Sequence, residues 1–217
     1  VFGTGLRPTL EIVCDLSPER AADRAADLGF DRYTDQWQEL IDDSDVELIS
    51  ICAPNALHRD ISIAALEAGK HVWCEKPMAM SLTDAEDMVT AARSSSRKTI
   101  VGYNYIKNPA VTHAQRLISD GMIGRITGFH GRYDVDNEAD ENQPYSWRLS
   151  RDRSGTGAIA DILSHLLSVA HFITNSEVSN VVADVDVVHR QRPDPTNPSL
   201  SREVDNDDTV AALIRFT

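Results

Sequence analysis

Residues 46–77, VELISICAPNALHRDISIAALEAGKHVWCEKP, decide the fold. VELISICAP is an apolar run with almost no polar break, the composition of a strand covered on both faces, and Pro54 stops it. A helix follows through HRDISIAALEAG, with Gly69 at the C′ position, where a helix end takes the left-handed conformation. HVWCEKP is the next short strand, stopped by Pro77. Strand, helix and strand in this order form a parallel crossover unit.

The same alternation extends from Leu10 to Tyr105. LEIVCD (10–15) is a strand; Ser17 and Pro18 then supply an N-cap and a first helical residue, and the helix through AADRAADL ends at Gly29. A second helix, DQWQELIDD, starts at Thr34 or Asp35. Thr83 and Glu86 form a T-x-x-E capping box opening DAEDMVTAAR, and KTIVGYNY (98–105) closes this half as a strand. The pattern calls for an α/β fold, a Rossmann-type parallel sheet with helices on both faces.

The second half differs. After the helix PAVTHAQRLISDG (109–121), the segments RITGFHGRYDV (125–135), SNVVADVDVVHR (179–190) and DDTVAALIRFT (207–217) alternate with period two. They predict a large, mostly antiparallel sheet with one covered face. A long helix spans roughly Gly157 to Thr174, and the proline-rich, polar stretch Gln191 to Asp208 reads as a mobile loop. There is no internal repeat. Residues 1–105 and 106–217 are expected to form two domains. Thr217 falls in mid-strand, so more sequence is expected after it.

A chain of 217 residues with 41% hydrophobic and 25% charged residues has the composition of a globular protein with a real core. The net charge of −13 disfavours binding that depends on neutralising phosphate backbones or anionic lipid. Neither nucleic acid nor a membrane is therefore an expected partner, and no run approaches the ~18 apolar residues of a membrane span. Cys14, Cys52 and Cys74 show no CxxC pairing and each ends an apolar run, as expected of small buried hydrophobes in a reducing cytoplasm. The seven histidines contain no His-x3-His pair, so no metal site is expected. No G-x-S-x-G elbow is present for acyl transfer.

In an open parallel sheet, ligands bind beyond the carboxyl ends of the strands. Asp15 closes LEIVCD, where an acidic residue can accept from both ribose hydroxyls of NAD and repel the 2′-phosphate of NADP. It can equally be a carboxylate beside a helix N-terminus. Ala53, Pro54 and Asn55 end the next strand beside a helix start that offers amide donors, though A-P-N is also ordinary turn chemistry. Lys76 stands at the carboxyl edge of a strand, where it can share a proton with a substrate oxygen while Glu75 holds its charge. The alternative is a solvated surface pair. Asp161 and His165 lie four residues apart on an otherwise apolar helix, so that the carboxylate can fix the imidazole tautomer for general-base work. A satisfied core pair is the other reading.

Taken in order, FGTG, EIVCD, ICAPNALHRDISIAALEAGKHVWCEKPMAMS, GYNYIKNPAV and GTGAIADILSHLL resemble the Gfo/Idh/MocA family, the glucose-fructose oxidoreductase and inositol dehydrogenase group. The resemblance covers almost the whole chain. It implies a dinucleotide-binding domain over residues 1–105 and a substrate and oligomerisation domain over 106–217, in an NAD-dependent dehydrogenase moving a hydride between a secondary alcohol of a sugar or cyclitol and the nicotinamide. It also implies Lys76, Asp161 and His165 as the catalytic residues. Cofactor contacts are assigned to Gly3, Thr4, Gly5, Asp15, Ala53, Pro54, Asn55, His58, Glu75, Lys76 and Asn104. Substrate contacts are assigned to Lys76, Tyr105, Asp161 and His165, with Trp147 and Arg148, just before the catalytic helix, as candidates for the substrate wall; a Trp there can equally be core. The arginine usual in the family after the Asn-Tyr pair is replaced by Ile106-Lys107, which puts a substrate contact there in doubt. Two rival readings stand beside it: a glycosidase that oxidises transiently with a retained NAD, and a ligand sensor without turnover, against which the presence of Lys76, Asp161 and His165 together argues. A cytoplasmic homo-oligomer assembled through the C-terminal sheet completes the expectation.

One feature conflicts with this reading. In VFGTGLRPTLEIVCD only Leu6 to Thr9 separate the glycine turn from the strand, whereas a parallel crossover needs at least about ten residues. A segment on the order of twenty residues, the rest of the glycine loop and the first helix, is expected to be missing between Gly5 and Leu6.

Overall fold

The computed structural model describes Gly5, residues 7–136 and residues 138–217. Gly3, Thr4 and the expected break before Leu6 lie outside the described residues. By their contacts the residues form two units. One comprises Val1–Cys52, Leu57–Cys74 and Thr83–Ile100; the other comprises Ala53–Ala56, Glu75–Leu82 and Val101–Thr217. The turns that follow two strands of the first unit thus belong, by contact, to the second.

In the first unit β1 (Ile12–Cys14) pairs in parallel with β2 (Arg32–Thr34), and α1 (Pro18–Leu28) connects them. The local signals of α1 act as read. Ser17 Oγ accepts from Arg20 N at 3.3 Å, and Gly29 ends the helix with φ +79°. α2 (Trp37–Asp42) leads to β3 (Leu48–Ile51), α3 (His58–Glu67) and β4 (His71–Cys74), and β3 and β4 pair in parallel. α4 (Leu82–Ser95) and β5 (Thr99–Val101) complete the order β3-β4-β5. α4 starts at Leu82, so Thr83 lies inside its first turn and not at a capping position.

Ala21, Ala25, Ile41, Val46, Ile49, Ile51, Ile61, Ala65, Leu66, Val72, Cys74 and Met88 are the buried hydrophobic residues around which this unit packs. β3 is one-sided, against the two-sided burial expected of it. Ile49 and Ile51 are enclosed at 4% and 3% while Leu48 is 53% exposed, because the described elements cover only one face. The cysteines differ similarly: Cys74 is buried, Cys14 half-buried and Cys52 exposed.

In the second unit Asn108 caps α5 (Pro109–Ser119) by accepting from Ala110 N at 2.9 Å. The expected strand 125–135 is absent. An alternating segment becomes a strand only against a neighbour, and among the described residues none pairs with it. α6 (Arg151–Ser154) is followed by a π-helical turn, Ile159–Leu163, which runs into α7 (Ser164–Thr174). By length and composition alone Arg151–Thr174 reaches what a membrane span requires, with a mean hydropathy of 1.4. It is broken at Gly155, however, where φ is +83°.

β6 (Val178–Asp186) and β9 (Thr209–Phe216) form an antiparallel pair. Between them the expected mobile loop is an ordered hairpin of β7 (Gln191–Pro193) and β8 (Ser201–Glu203). Asp194 organises its tip, accepting from Thr196 N at 2.7 Å, Thr196 Oγ1 at 2.6 Å and Arg202 Nε at 2.6 Å. These bonds hold its carboxyl far below the ordinary range. Arg192 is 1% exposed and donates to the carbonyls of Glu138 and Asp140. The polar composition that suggests a loop here instead supplies the bonds that fix one.

Candidate active site

The strand β4 delivers Glu75 and Lys76 to the second unit, followed by a cis Lys76–Pro77 peptide. Lys76 Nζ donates to the Asp161 carboxylate and, at 3.1 Å, to the Asp161 main-chain carbonyl. The lysine side chain is 17% exposed and the aspartate 45%. Glu75 Oε2 accepts from Lys76 N at 3.2 Å. Gly102 makes room for this carboxylate, since a Cβ there would lie 2.7 Å from Glu75 Oε1.

Asp161 sits within the π turn. Such turns hold i→i+5 bonds and occur mostly as single insertions in α-helices, frequently at functional sites. The wider turn changes the angular offset between positions 161 and 165, which a regular α-helix would place on one face. The expected Asp161–His165 hydrogen bond is consequently not formed. His165 Nδ1 is buried without a hydrogen-bond partner, and the carboxylate goes to Lys76.

Aromatic rings enclose the imidazole. His165 is 5% exposed, stacked on Tyr105 at 4.0 Å between centroids and 14° between planes, with Tyr103 edge-on at 5.8 Å. The Tyr105 and Tyr133 hydroxyls meet at 2.5 Å. Burial lowers the imidazole pKa below its ordinary value and the Lys76 charge adds to this, while Asp161 and Glu75 oppose it. The ring is therefore biased toward its neutral, proton-accepting form. The hydrogen bond to Tyr133 pushes the Tyr105 phenol up, with burial as a smaller cause.

The other expected site residues fall in different places. Asn55 is buried and spends its amide on the Ser154 carbonyl at 2.8 Å. His58 begins α3 and is 1% exposed, a packed side chain of the first unit. Ala53 and Pro54 are half-buried, and Asn104 is exposed at the start of a 3₁₀ turn, Asn104–Lys107. Trp147 and Arg148 lie in a second 3₁₀ turn, Trp147–Leu149, with the guanidinium carbon 4.7 Å from the indole centroid. Neither bonds to Lys76, Asp161 or His165 among the described residues.

Three participants escape a reading of the sequence. Tyr103 lies in the GYNY stretch, which marks no role for it, Tyr133 carries no motif, and Asp207 serves as cap to the helix of Asp161 from 46 residues away, accepting from Gly157 N and Ile159 N at 2.8 Å each. Only its D-N-D-D context (205–208), rich in capping residue types, hints at such a role.

In the first unit Asp15 directly follows β1, with its side chain 18% exposed. Its Oδ1 accepts from Leu16 N at 2.6 Å and meets Arg20 Nε at 3.2 Å. Oδ2 remains an acceptor for a ribose hydroxyl, so the residue fits a dinucleotide without a 2′-phosphate. Gly5, at φ +70° with open space where a Cβ would stand, fits a phosphate-binding turn. Among the described residues no group of three or more His, Cys, Asp or Glu could hold a metal ion.

Residues 4–103 match the family model described as "Oxidoreductase family, NAD-binding Rossmann fold", and residues 111–217 match the GFO/IDH/MocA C-terminal domain. The chain belongs to the GFO/IDH/MocA family. Levoglucosan dehydrogenase of Pseudarthrobacter phenanthrenivorans is 37% identical over 220 residues, covering 96% of this chain and 56% of that protein. The 1,5-anhydro-D-fructose reductase of Ensifer adhaerens is 37% identical, covering 77% of this chain and 49% of that one. A solved levoglucosan dehydrogenase in complex with NADH and levoglucosan superimposes with a TM-score of 0.91 at 38% identity, over 96% of this chain and 55% of that one. The chain thus spans about half the length of the relatives it matches.

Proposed function

We propose that this chain belongs to an NAD-dependent dehydrogenase oxidising a secondary alcohol of a sugar, sugar derivative or cyclitol. The observation that carries the reading is a lysine bound to Asp161, with a buried imidazole biased to neutrality in the same cluster. His165 takes the proton of the substrate hydroxyl, and the Lys76 ammonium stabilises the developing alkoxide. Asp161 orients Lys76, and the stacked Tyr105 sets the plane of His165. NAD, when bound, supplies the hydride acceptor. Asp15 and Gly5 are the residues that would hold it. Relatives named as levoglucosan dehydrogenase, 1,5-anhydro-D-fructose reductase and inositol 2-dehydrogenase support the substrate class.

The test follows NADH formation with levoglucosan, 1,5-anhydroglucitol, inositols and hexoses, using NAD and NADP in parallel. Turnover by the parent is expected, with loss in Lys76→Ala and His165→Ala. If both variants turn over like the parent, the assignment is wrong. A second reading has support from a relative named 2,7-anhydro-N-acetylneuraminate hydratase, 35% identical over 145 residues. In that reading oxidation is transient, and the signature is product without net NADH and a cofactor retained through purification. The exposed Val181, Val182 and Leu213 of β6 and β9 support self-association through this sheet, which sedimentation would detect.

A further inference from the structure

Asp161 reaches Lys76 from the first turns of a helix that has no capping side chain of its own. Four amides at a helix start have no intrahelical acceptor, and the preceding stretch SGTG supplies none. Asp207 satisfies three in succession. Its Oδ1 accepts from Gly157 N at 2.8 Å, its main-chain carbonyl from Ala158 N at 2.9 Å and its Oδ2 from Ile159 N at 2.8 Å. The approach is so close that a Cβ on Gly157 would lie 1.8 Å from the Asp207 carbonyl oxygen. The carboxylate also complements the positive end of the helix dipole.

The neighbours of Asp207 grip the same region. Asn206, 1% exposed, donates to the Arg148 carbonyl at 2.8 Å and to Ser154 Oγ at 2.6 Å. Asp205 accepts from Arg151 N at 2.9 Å, and Asp208 accepts from Val188 N and His189 N. Each of the four side chains in D-N-D-D therefore holds a different stretch of main chain. From the clamp to the site is one turn, because Asp161 N donates to the Gly157 carbonyl at 2.8 Å.

We propose that Asp207 is a positioning residue for the Asp161–Lys76 pair. By fixing where the helix begins, it sets the depth at which the π turn presents its carbonyl and carboxylate to the ammonium. This rests on the role of Lys76 and Asp161 given under the proposed function. Without the carboxylate the first turn can slide, and Asp161 moves with it. Asparagine would keep one acceptor and turn an amide donor toward a main-chain N–H.

The experiment compares the parent, Asp207→Asn, Asp161→Asn and the double variant, with Asp205→Asn as a neighbouring control. Asp207→Asn is expected to lower kcat by about ten- to a hundredfold, the scale of a displacement near 1 Å, with KM for NAD unchanged. In the Asp161→Asn background the same change should have little further effect, and Asp205→Asn should leave kcat as it is. A second readout needs no turnover. Acylation of Lys76 by a water-soluble amine reagent, followed by peptide mass spectrometry, should quicken in Asp207→Asn and not in Asp205→Asn. Should Asp207→Asn fail to fold, Asp207→Ser, which keeps one short acceptor, carries the same measurements. Equal losses in both backgrounds, or Lys76 acylation as slow as in the parent, would overturn the proposal. A parent inactive on every substrate, with Lys76 acylation still dependent on Asp207, would instead overturn the dehydrogenase reading alone.

Discussion

Replacing Gly157 by alanine sets two effects against each other, and the geometry decides between them. Where alanine fits, it stabilises by about 0.4–1 kcal/mol through the lost freedom of the unfolded chain. Here the new Cβ would stand 1.8 Å from a main-chain oxygen, and even the tightest contact proteins tolerate, 3.0 Å, requires the two segments to part by 1.2 Å. Bonds of 2.8, 2.9 and 2.8 Å to Asp207 do not survive that movement. Two of them end on a carboxylate at ~1.5–3 kcal/mol each and one on a neutral carbonyl at ~1 kcal/mol. With partial relaxation the net loss is about 3–5 kcal/mol, a large share of a typical domain stability. The assay is equilibrium urea unfolding followed by fluorescence in a Trp37→Phe, Trp73→Phe background. Trp147 then reports alone, from the unit that contains the clamp. A loss below about 1 kcal/mol at unchanged m value, or any gain, would refute the close approach of Asp207 to this helix start.

Two further outcomes follow from the site. Because burial and Lys76 depress the His165 pKa, the acid limb of kcat/KM is expected below pH 6.5, and Lys76→Met should move it upward. The same depressed value means that the neutral ring contributes stability above pH 6.5 which is lost as pH falls through the folded-state pKa, and acid unfolding of His165→Gln should lack this component. Asp15→Ser removes the carboxylate expected to repel a 2′-phosphate, so the ratio of kcat/KM for NADP over NAD should rise at least about tenfold. An unchanged ratio would remove Asp15 from the cofactor site.

What the sequence discloses divides by distance along the chain. Ser17, Pro18 and Gly29 bracket α1, and Asn108 and Pro109 open α5, because each acts on amides or carbonyls within four residues. The strands β1, β3, β4 and β5 and the helices between them were legible through apolar runs and turn residues, whereas the three-residue β2 (Arg32–Thr34) carries no apolar run to mark it, and the bond of Asp161 to Lys76 rather than to His165 was not legible. Nor was the Asp207 clamp, since nothing local to Gly157 names an acceptor fifty residues on. The hairpin 191–203 was misread because its prolines and acids are the residues of mobile loops as well as of tightly bonded ones. Segment 125–135 failed as a strand because alternation describes a face, not the neighbour that would cover it. The π turn was invisible altogether: the spacing of Asp161 and His165 is written in residues, while their relative orientation depends on how many residues the turn contains.

The bonds of Lys76 impose a count. An ammonium group carries three protons in tetrahedral directions. Two of them point at the carbonyl and carboxylate of Asp161, which leaves a single N–H for any incoming oxygen. A lysine with all its protons free would swivel to meet a hydroxyl from many sides. This one offers a fixed vector, so under the proposed function an alcohol carbon facing it would be accepted in one configuration, its epimer presenting hydrogen where oxygen is needed.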